Sequence, residues 1–255
     1  MNYGKNTSID FFKNNVTDKN KLIYMCHHPE SFDSKGMKTC MLGDYKFFGE
    51  IKPEIVIPAF IGNVNIRTKN QVTKFVVIGN IDRKRKNFDL LISTCKKLVE
   101  NNIKNFKVDV IAKTGGIEIP SVLKDIIEFK GALPYADMYE ELEGADFILA
   151  LLDKNVEEHR RYIDSGISGT ILLMFYFSKL CLIEDVFAIK YNLNPDNSIV
   201  YNGSEGFLES MKASILMSKR IYLQKQLNLS ELRMQIYEKS KINFEKLVKN
   251  IRRVA

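Results

Sequence analysis

The stretch Phe75-Val76-Val77-Ile78-Gly79-Asn80-Ile81-Asp82-Arg83-Lys84-Arg85-Lys86-Asn87 decides the fold class. Its first four residues are aromatic or β-branched, with no polar alternation, the pattern of a strand buried on both faces. Gly79 closes that run in a turn. Phe88 to Asn101 then sets Leu90, Leu91, Cys95, Leu98 and Val99 at helical spacing, with Lys and Glu between them.

The same alternation continues downstream. Phe106 to Ala112 reads as a second strand, followed by a Thr114-Gly115-Gly116 loop. Pro120 to Ile127 reads as a short helix and Ile127 to Gly131 as a third strand. A helix over Tyr135 to Glu143 leads to a fourth strand over Ala145 to Leu152. A buried helix over Ser168 to Phe177 precedes strands at Leu180 to Ile183 and Asn197 to Tyr201. Strands joined through helices pair in parallel by right-handed crossovers, so residues 71–255 are expected to form an α/β domain with a doubly wound parallel sheet. From Phe207 to Ala255 only helical spacing remains, which predicts helices closing on the sheet.

Residues 1–70 behave differently. Leu22 to Met25 reads as a short strand, Cys40 to Phe47 as a helix, and Glu54 to Pro58 as an extended piece. Pro53, Pro58, Gly62 and Asn63 punctuate a linker. The stretch is too short for a second α/β domain and reads as the tail of one.

Composition narrows the classes. Of 255 residues 45% are hydrophobic, which excludes a mainly disordered chain. The 38 basic and 31 acidic residues leave a net charge of +7. That balance suits a phosphate-bearing ligand, nucleic acid or an anionic membrane surface, and equally a lysine-rich solvated surface. Basic and aromatic residues do not interleave as in an RRM motif, which argues against nucleic acid. Gly79-Asn80-Ile81-Asp82 lacks the GxGxxG of a dinucleotide dehydrogenase. No run approaches the roughly 20 apolar residues of a spanning helix, and the N-terminus shows no secretory signal. Cys26, Cys40, Cys95 and Cys181 lack metal-like spacing and read as reduced core thiols of a cytoplasmic protein. His27 and His28 are adjacent on an extended segment and point to opposite sides, so no shared metal ion is expected.

In open α/β sheets ligands bind beyond the carboxyl ends of the strands, and several such ends carry chemistry here. Gly79 and Asn80 allow close backbone approach after the first strand, and Arg83, Lys84, Arg85 and Lys86 suit a diphosphate. Lys113 ends the second strand, where it faces either a ligand or water. Lys130-Gly131-Ala132-Leu133-Pro134 follows the third, where backbone groups suit the edge of a nucleobase and Leu133 its face. Asp164-Ser165-Gly166-Ile167-Ser168-Gly169-Thr170 leads into the buried helix, whose amides and positive dipole make a phosphate cradle. Ser168 serves there either as ligand contact or as N-cap.

Read in order, four blocks resemble the C-terminal nucleotide-sugar-binding domain of GT-B glycosyltransferases. They are VVIGNIDRKRKNFDLLI (76–92), FKGALPYADMYEELEGADFILALL (129–152), SGISGTILLMFYFSKLCLIE (165–184) and FLESMKASI (207–215). The resemblance covers about residues 20 to 250. It implies two Rossmann-like domains with the active site between them, of which residues 71–255 are the donor-binding one and residues 1–70 a partial acceptor domain with its linker. By position it assigns Lys86, with Gly79, Asn80 and Arg85 around it, to the diphosphate. Lys113 also falls on the donor side. Gly131 and Leu133 match the base pocket, and Ser168, Gly169 and Thr170 the amide loop that meets the phosphates. No divalent metal or other cofactor is expected, because cations and amides neutralise the leaving diphosphate.

Three departures stand out. Asn80 occupies a position where many retaining members have arginine. The Glu-x7-Glu pair of that family is absent around Asp164 to Leu173, leaving Glu184 as the carboxylate near the ribose or sugar and the stereochemistry open. The acceptor domain is represented only by its last fragment, including Leu22 to Phe32. The resemblance therefore implies transfer of a sugar from a nucleoside diphosphate sugar to a polysaccharide or lipid-linked acceptor, or the donor-binding half of that reaction with a second chain supplying the acceptor domain. The alternative is a non-catalytic GT-B-like partner module of a two-chain transferase. Basic helices from Lys212 to Arg253 suit peripheral contact with an anionic membrane, or a solvated face.

Overall fold

The structure is a computed structural model that describes residues 23–26, 38–42, 54–57, 66–82, 84–112, 117–164 and 166–252. The chain divides into two units, residues 1–58 with 238–255, and residues 59–237.

In the first unit, strands β1 (Ile23–Cys26), β2 (Lys38–Met41) and β3 (Glu54–Ile55) pair in parallel in that order. Cys40 and Met41 are thus strand residues, which corrects the helix expected from Cys40; the remainder of that expectation, from 43 to 47, lies outside the described residues. A four-residue segment cannot show 3.6-residue periodicity, so hydrophobicity alone misassigns it. Cys40, Val56 and Leu247 form a small core with Ile23 against it. The backbone N–H of Ile57 donates to Ser240 Oγ at 3.0 Å, and Asn243 Nδ2 donates to the Ile55 carbonyl at 2.8 Å. The last turns of the C-terminal helix therefore complete this unit.

The second unit begins its sheet with β4 (Thr73–Ile78), followed by helix α1 (Phe88–Glu100) and β5 (Phe106–Ile111). A single 3-10 turn, Ser121–Leu123, stands where a short helix is expected over Pro120 to Ile127. Next come β6 (Ile127–Phe129), α2 (Tyr135–Gly144), β7 (Phe147–Leu149), α3 (Glu157–Asp164) and α4 (Gly169–Phe177). The chain continues through β8 (Leu180–Glu184), α5 (Asp185–Ala188), β9 (Ile199–Tyr201), α6 (Gly203–Leu216) and α7 (Lys219–Arg252). The six strands are all parallel in the order β6-β5-β4-β7-β8-β9. Written as 3-2-1-4-5-6, this is the doubly wound order, whose switch point lies between β4 and β7. The expected fold class is the observed one.

Phe75 on β4 stacks with Phe147 on β7 at 5.3 Å between centroids and meets Phe106 on β5 edge-on at 6.2 Å. Tyr222 of α7 covers Phe147 at 5.5 Å and donates its hydroxyl to the Asp146 carbonyl. Packing of this aromatic row fixes three strands and one helix together. Cys95 and Cys181 are buried free thiols here, and Cys40 is buried in the first unit, which agrees with their reading as core residues. Among the described residues no helix is long and apolar enough to cross a membrane.

Candidate functional site at the carboxyl ends of the parallel strands

Gly79 follows β4 at φ +95°, a left-handed conformation open to glycine, and donates its N–H to the Ile111 carbonyl. The loop then folds on Asp82. Its carbonyl accepts the amides of Arg85 and Lys86, and its carboxylate accepts the amide of Lys84 at 2.8 Å. This turn separates neighbours of identical charge. Arg85 stays exposed, 3.6 Å from the Asp82 carboxylate, and Lys84 is exposed beside Glu158 at 3.8 Å. Lys86 turns inward and retains only 5% of its surface.

The Lys86 ammonium donates to the Ala150 carbonyl and to Thr170 Oγ1, both at 3.1 Å. It thereby joins the loop after β4, the loop after β7 and the first turn of α4. Neither partner carries a charge. Burial lowers its pKa from 10.5 to about 8. A cation held this way is protonated at neutral pH and undercompensated, so an anion at the site gains from it.

Thr170 belongs to the amide loop anticipated in the sequence. Ser168 sits at the N-cap of α4, yet its side chain makes no capping bond; its amide donates to the Tyr191 hydroxyl at 3.3 Å. The amides of Gly169 and Thr170 have no partner among the described residues. A Cβ at Gly169 would meet no atom within 4 Å, which leaves open space over those amides. Helix dipole and free N–H groups favour negative charge there.

Residues that the sequence did not single out build the floor. Asn87 caps α1 by accepting the Leu90 amide, donates its own amide to the Leu151 carbonyl at 2.8 Å, and donates Nδ2 to Asp153 Oδ2 at 2.6 Å. Leu151 is left-handed at φ +52°, which ends β7 earlier than the apolar run to Leu152 suggests. The Asp153 amide donates to Nδ1 of His159, which is fully buried. That bond places the imidazole proton on Nε2, which has no hydrogen-bond partner among the described residues. Desolvation lowers the His159 pKa, so the ring is neutral at pH 7. The signals available in the sequence were Asn87 just before a periodic helix and a lone histidine amid the charges of α3.

Glu184 ends β8 and is 2% exposed. Its carboxylate accepts the amide of Lys154 at 2.8 Å and of Gly203 at 3.3 Å, with Lys154 Nζ at 3.5 Å. It ties the loop after β7 to the start of α6. Gly131, at φ +75°, and the half-buried Leu133 follow β6 on the same edge of the sheet. Asn80 is exposed beside Gly79. Lys113 lies outside the described residues, as do Arg83, Ser165, His27 and His28. The structure thus brings Lys86 and Thr170 into contact and lines up Gly79, Gly131, Ser168, Gly169 and Glu184 along one edge.

Solved glycosyltransferases share this fold. The C-terminal domain of LpcC, a glycosyl transferase group 1 family protein from Francisella tularensis, matches with a TM-score of 0.50 and 13% identity over 65% of this chain and 86% of that one. S. aureus TarM, solved as a mutant with fondaparinux, alpha-GlcNAc-glycerol and UDP, matches with a TM-score of 0.60 and 12% identity over 90% and 50%. WaaG, a glycosyltransferase involved in lipopolysaccharide biosynthesis, matches with a TM-score of 0.55 and 17% identity over 82% and 62%. The chain therefore spans 50% of that TarM structure and 62% of WaaG. No family model matches the sequence, and no curated protein matches it. The likeness defines the fold as that of GT-B glycosyltransferases.

Proposed function

We propose that this chain binds a nucleoside diphosphate sugar at the carboxyl ends of β4, β6, β7 and β8 and acts as the donor-binding part of a metal-independent glycosyltransferase. The observation that carries the reading is the buried Lys86 ammonium on Thr170 Oγ1, at the mouth of a helix with free first-turn amides. In the reaction the bond between the anomeric carbon and the diphosphate oxygen breaks, and the diphosphate leaves with the electron pair. Lys86 and the amides of Gly169 and Thr170 stabilise that charge, while an acceptor hydroxyl attacks the carbon and gives up its proton to water. Gly131 and Leu133 receive the base, and Gly79 and Asn80 admit the diphosphate to the backbone. The small unit, residues 1–58 with 238–255, belongs to the acceptor side. The acceptor is a polysaccharide or lipid-linked glycan, reached at the cytoplasmic face of a membrane; UDP in the TarM structure and the lipopolysaccharide role of WaaG support this class.

A second reading, a non-catalytic partner module, draws support from Glu184, whose carboxylate is already committed to the amides of Lys154 and Gly203. Calorimetric titration with UDP and GDP tests the first reading. One nucleotide binds, and Lys86→Met or Gly169→Val weakens it by more than about tenfold. Unchanged binding in both variants rejects it. Binding without sugar transfer or donor hydrolysis, alone or with a candidate partner chain, selects the second reading.

A further inference from the structure

A polar cavity lies at the opposite, amino-terminal edge of the same sheet. It has a volume of about 380 Å³ and is lined by Arg67, Asn70, Glu143, Asp146, Lys179 and Tyr222, among others. Asp146 immediately precedes β7 and Lys179 immediately precedes β8, so the cavity is remote in the topology from the loops after those strands.

Its cations converge. Arg67 Nη1 and Lys179 Nζ each donate to the Glu143 carbonyl at 2.7 Å. Two like charges are therefore held on one oxygen at the end of α2. Satisfying a helix carbonyl accounts for one bond from each side chain. It leaves two donors of the ammonium and most of the guanidinium fork without a protein acceptor among the described residues. Lys179 is 2% exposed, so open solvent does not satisfy it.

The acids nearby offset these charges only in part. Asp146 Oδ1 accepts the amide of Asn70 at 2.9 Å and its Oδ2 the amide of Lys74 at 2.8 Å, so each oxygen already takes one backbone N–H. The Glu143 side chain is exposed, and neither acid forms an ion pair with Arg67 or Lys179 among the described residues. Burial, with repulsion from the Arg67 charge, outweighs attraction to Asp146 and Glu143 at Lys179 and brings its pKa to about 8.

We propose that this cavity binds a phosphomonoester of a small polar molecule, with the phosphate on Arg67 and Lys179. A dianionic phosphate matches two adjacent cations, and its several oxygens suit a planar fork beside a point charge. A monoanionic carboxylate would leave one cation uncompensated. The volume exceeds that of a bare phosphate, and Asn70 and the Tyr222 hydroxyl oxygen suit a hydroxylated body.

The test is calorimetric titration of the full chain with glycerol 3-phosphate and with inorganic phosphate, for the unaltered protein, Arg67→Gln, Lys179→Met and Lys86→Met. Glycerol 3-phosphate binds more tightly than inorganic phosphate, and Arg67→Gln and Lys179→Met each weaken it by about tenfold or more. Lys86→Met leaves it unchanged, which separates this cavity from the proposed donor site. Arg67 is exposed, so its variant keeps the test decisive if Lys179→Met fails to fold by circular dichroism. Absence of binding at millimolar ligand overturns the proposal, as does affinity unaffected by Arg67→Gln or lost in Lys86→Met. Equal affinity for inorganic phosphate overturns the assignment to an ester.

Discussion

Lys86 and Thr170, 84 residues apart in the chain, meet at 3.1 Å between Nζ and Oγ1, and among the described residues no carboxylate shares the contact. This pairing couples the loop after β4 to the start of α4 through an ammonium that the protein only partly solvates.

Lys86→Met removes a desolvated cation and fills its volume with an unbranched apolar chain. The fall of its pKa from 10.5 to about 8 corresponds to about 3 kcal/mol spent holding the charge. Two lost hydrogen bonds return part of that, so the variant gains about 1–2 kcal/mol at pH 7 while nucleotide binding drops. Thermal unfolding and titration on the same sample check both signs.

Nucleotide affinity depends on Lys86 being charged. Its folded, ligand-free pKa is about 8, and a bound diphosphate raises it. Affinity is therefore flat below pH 8 and falls as pH rises above it, by up to tenfold per unit. The unfolded lysine titrates near 10.5, so the stability cost is full below pH 8 and is relieved from there toward 10.5. The gap in melting temperature between Lys86→Met and the unaltered protein narrows from pH 7 to pH 9.5.

Glu184→Ala strips an acceptor from the amides of Lys154 and Gly203 in a buried setting. The expected loss is about 2–4 kcal/mol in urea unfolding, because orphaned buried amides bear their full desolvation cost. Glu184→Gln keeps one oxygen and loses less. Equal losses in both variants would sink the two-amide account.

His159 is neutral because its Nδ1 accepts the Asp153 amide and burial lowers its pKa below 6.5. The unfolded histidine takes up a proton first as pH falls, so stability contributed here is present above pH 6.5 and lost below it. His159→Leu lowers the melting temperature at pH 7 but flattens its decline between pH 6.5 and pH 5. An unchanged slope would contradict the assigned protonation state.

Much of the α/β architecture is legible in local pattern. Short β-branched runs such as Phe75 to Ile78 and helical spacing such as Phe88 to Val99 identify elements, and their alternation dictates parallel pairing. Local pattern fails where an element is short or nearly all charged. Cys40 and Met41 form a strand and not a helix, and α3, rich in Glu and Arg, gives no apolar stripe beyond His159.

The opening stretch shows the same division most sharply. Arg85 and Lys86 are adjacent cations of equal standing in the sequence, and either suits a phosphate. The turn closed on Asp82 sends Arg85 to solvent and Lys86 beneath the first turn of α4. The sequence by itself determined the elements, their order and the sheet edge on which charge and glycine gather, because periodicity and turn chemistry are local properties. Which cation is buried, that Asn87, Asp153 and His159 support it, and that Arg67 and Lys179 converge at the far edge were decided by tertiary structure. Desolvation depends on packing between residues distant in the chain, and no single segment encodes it.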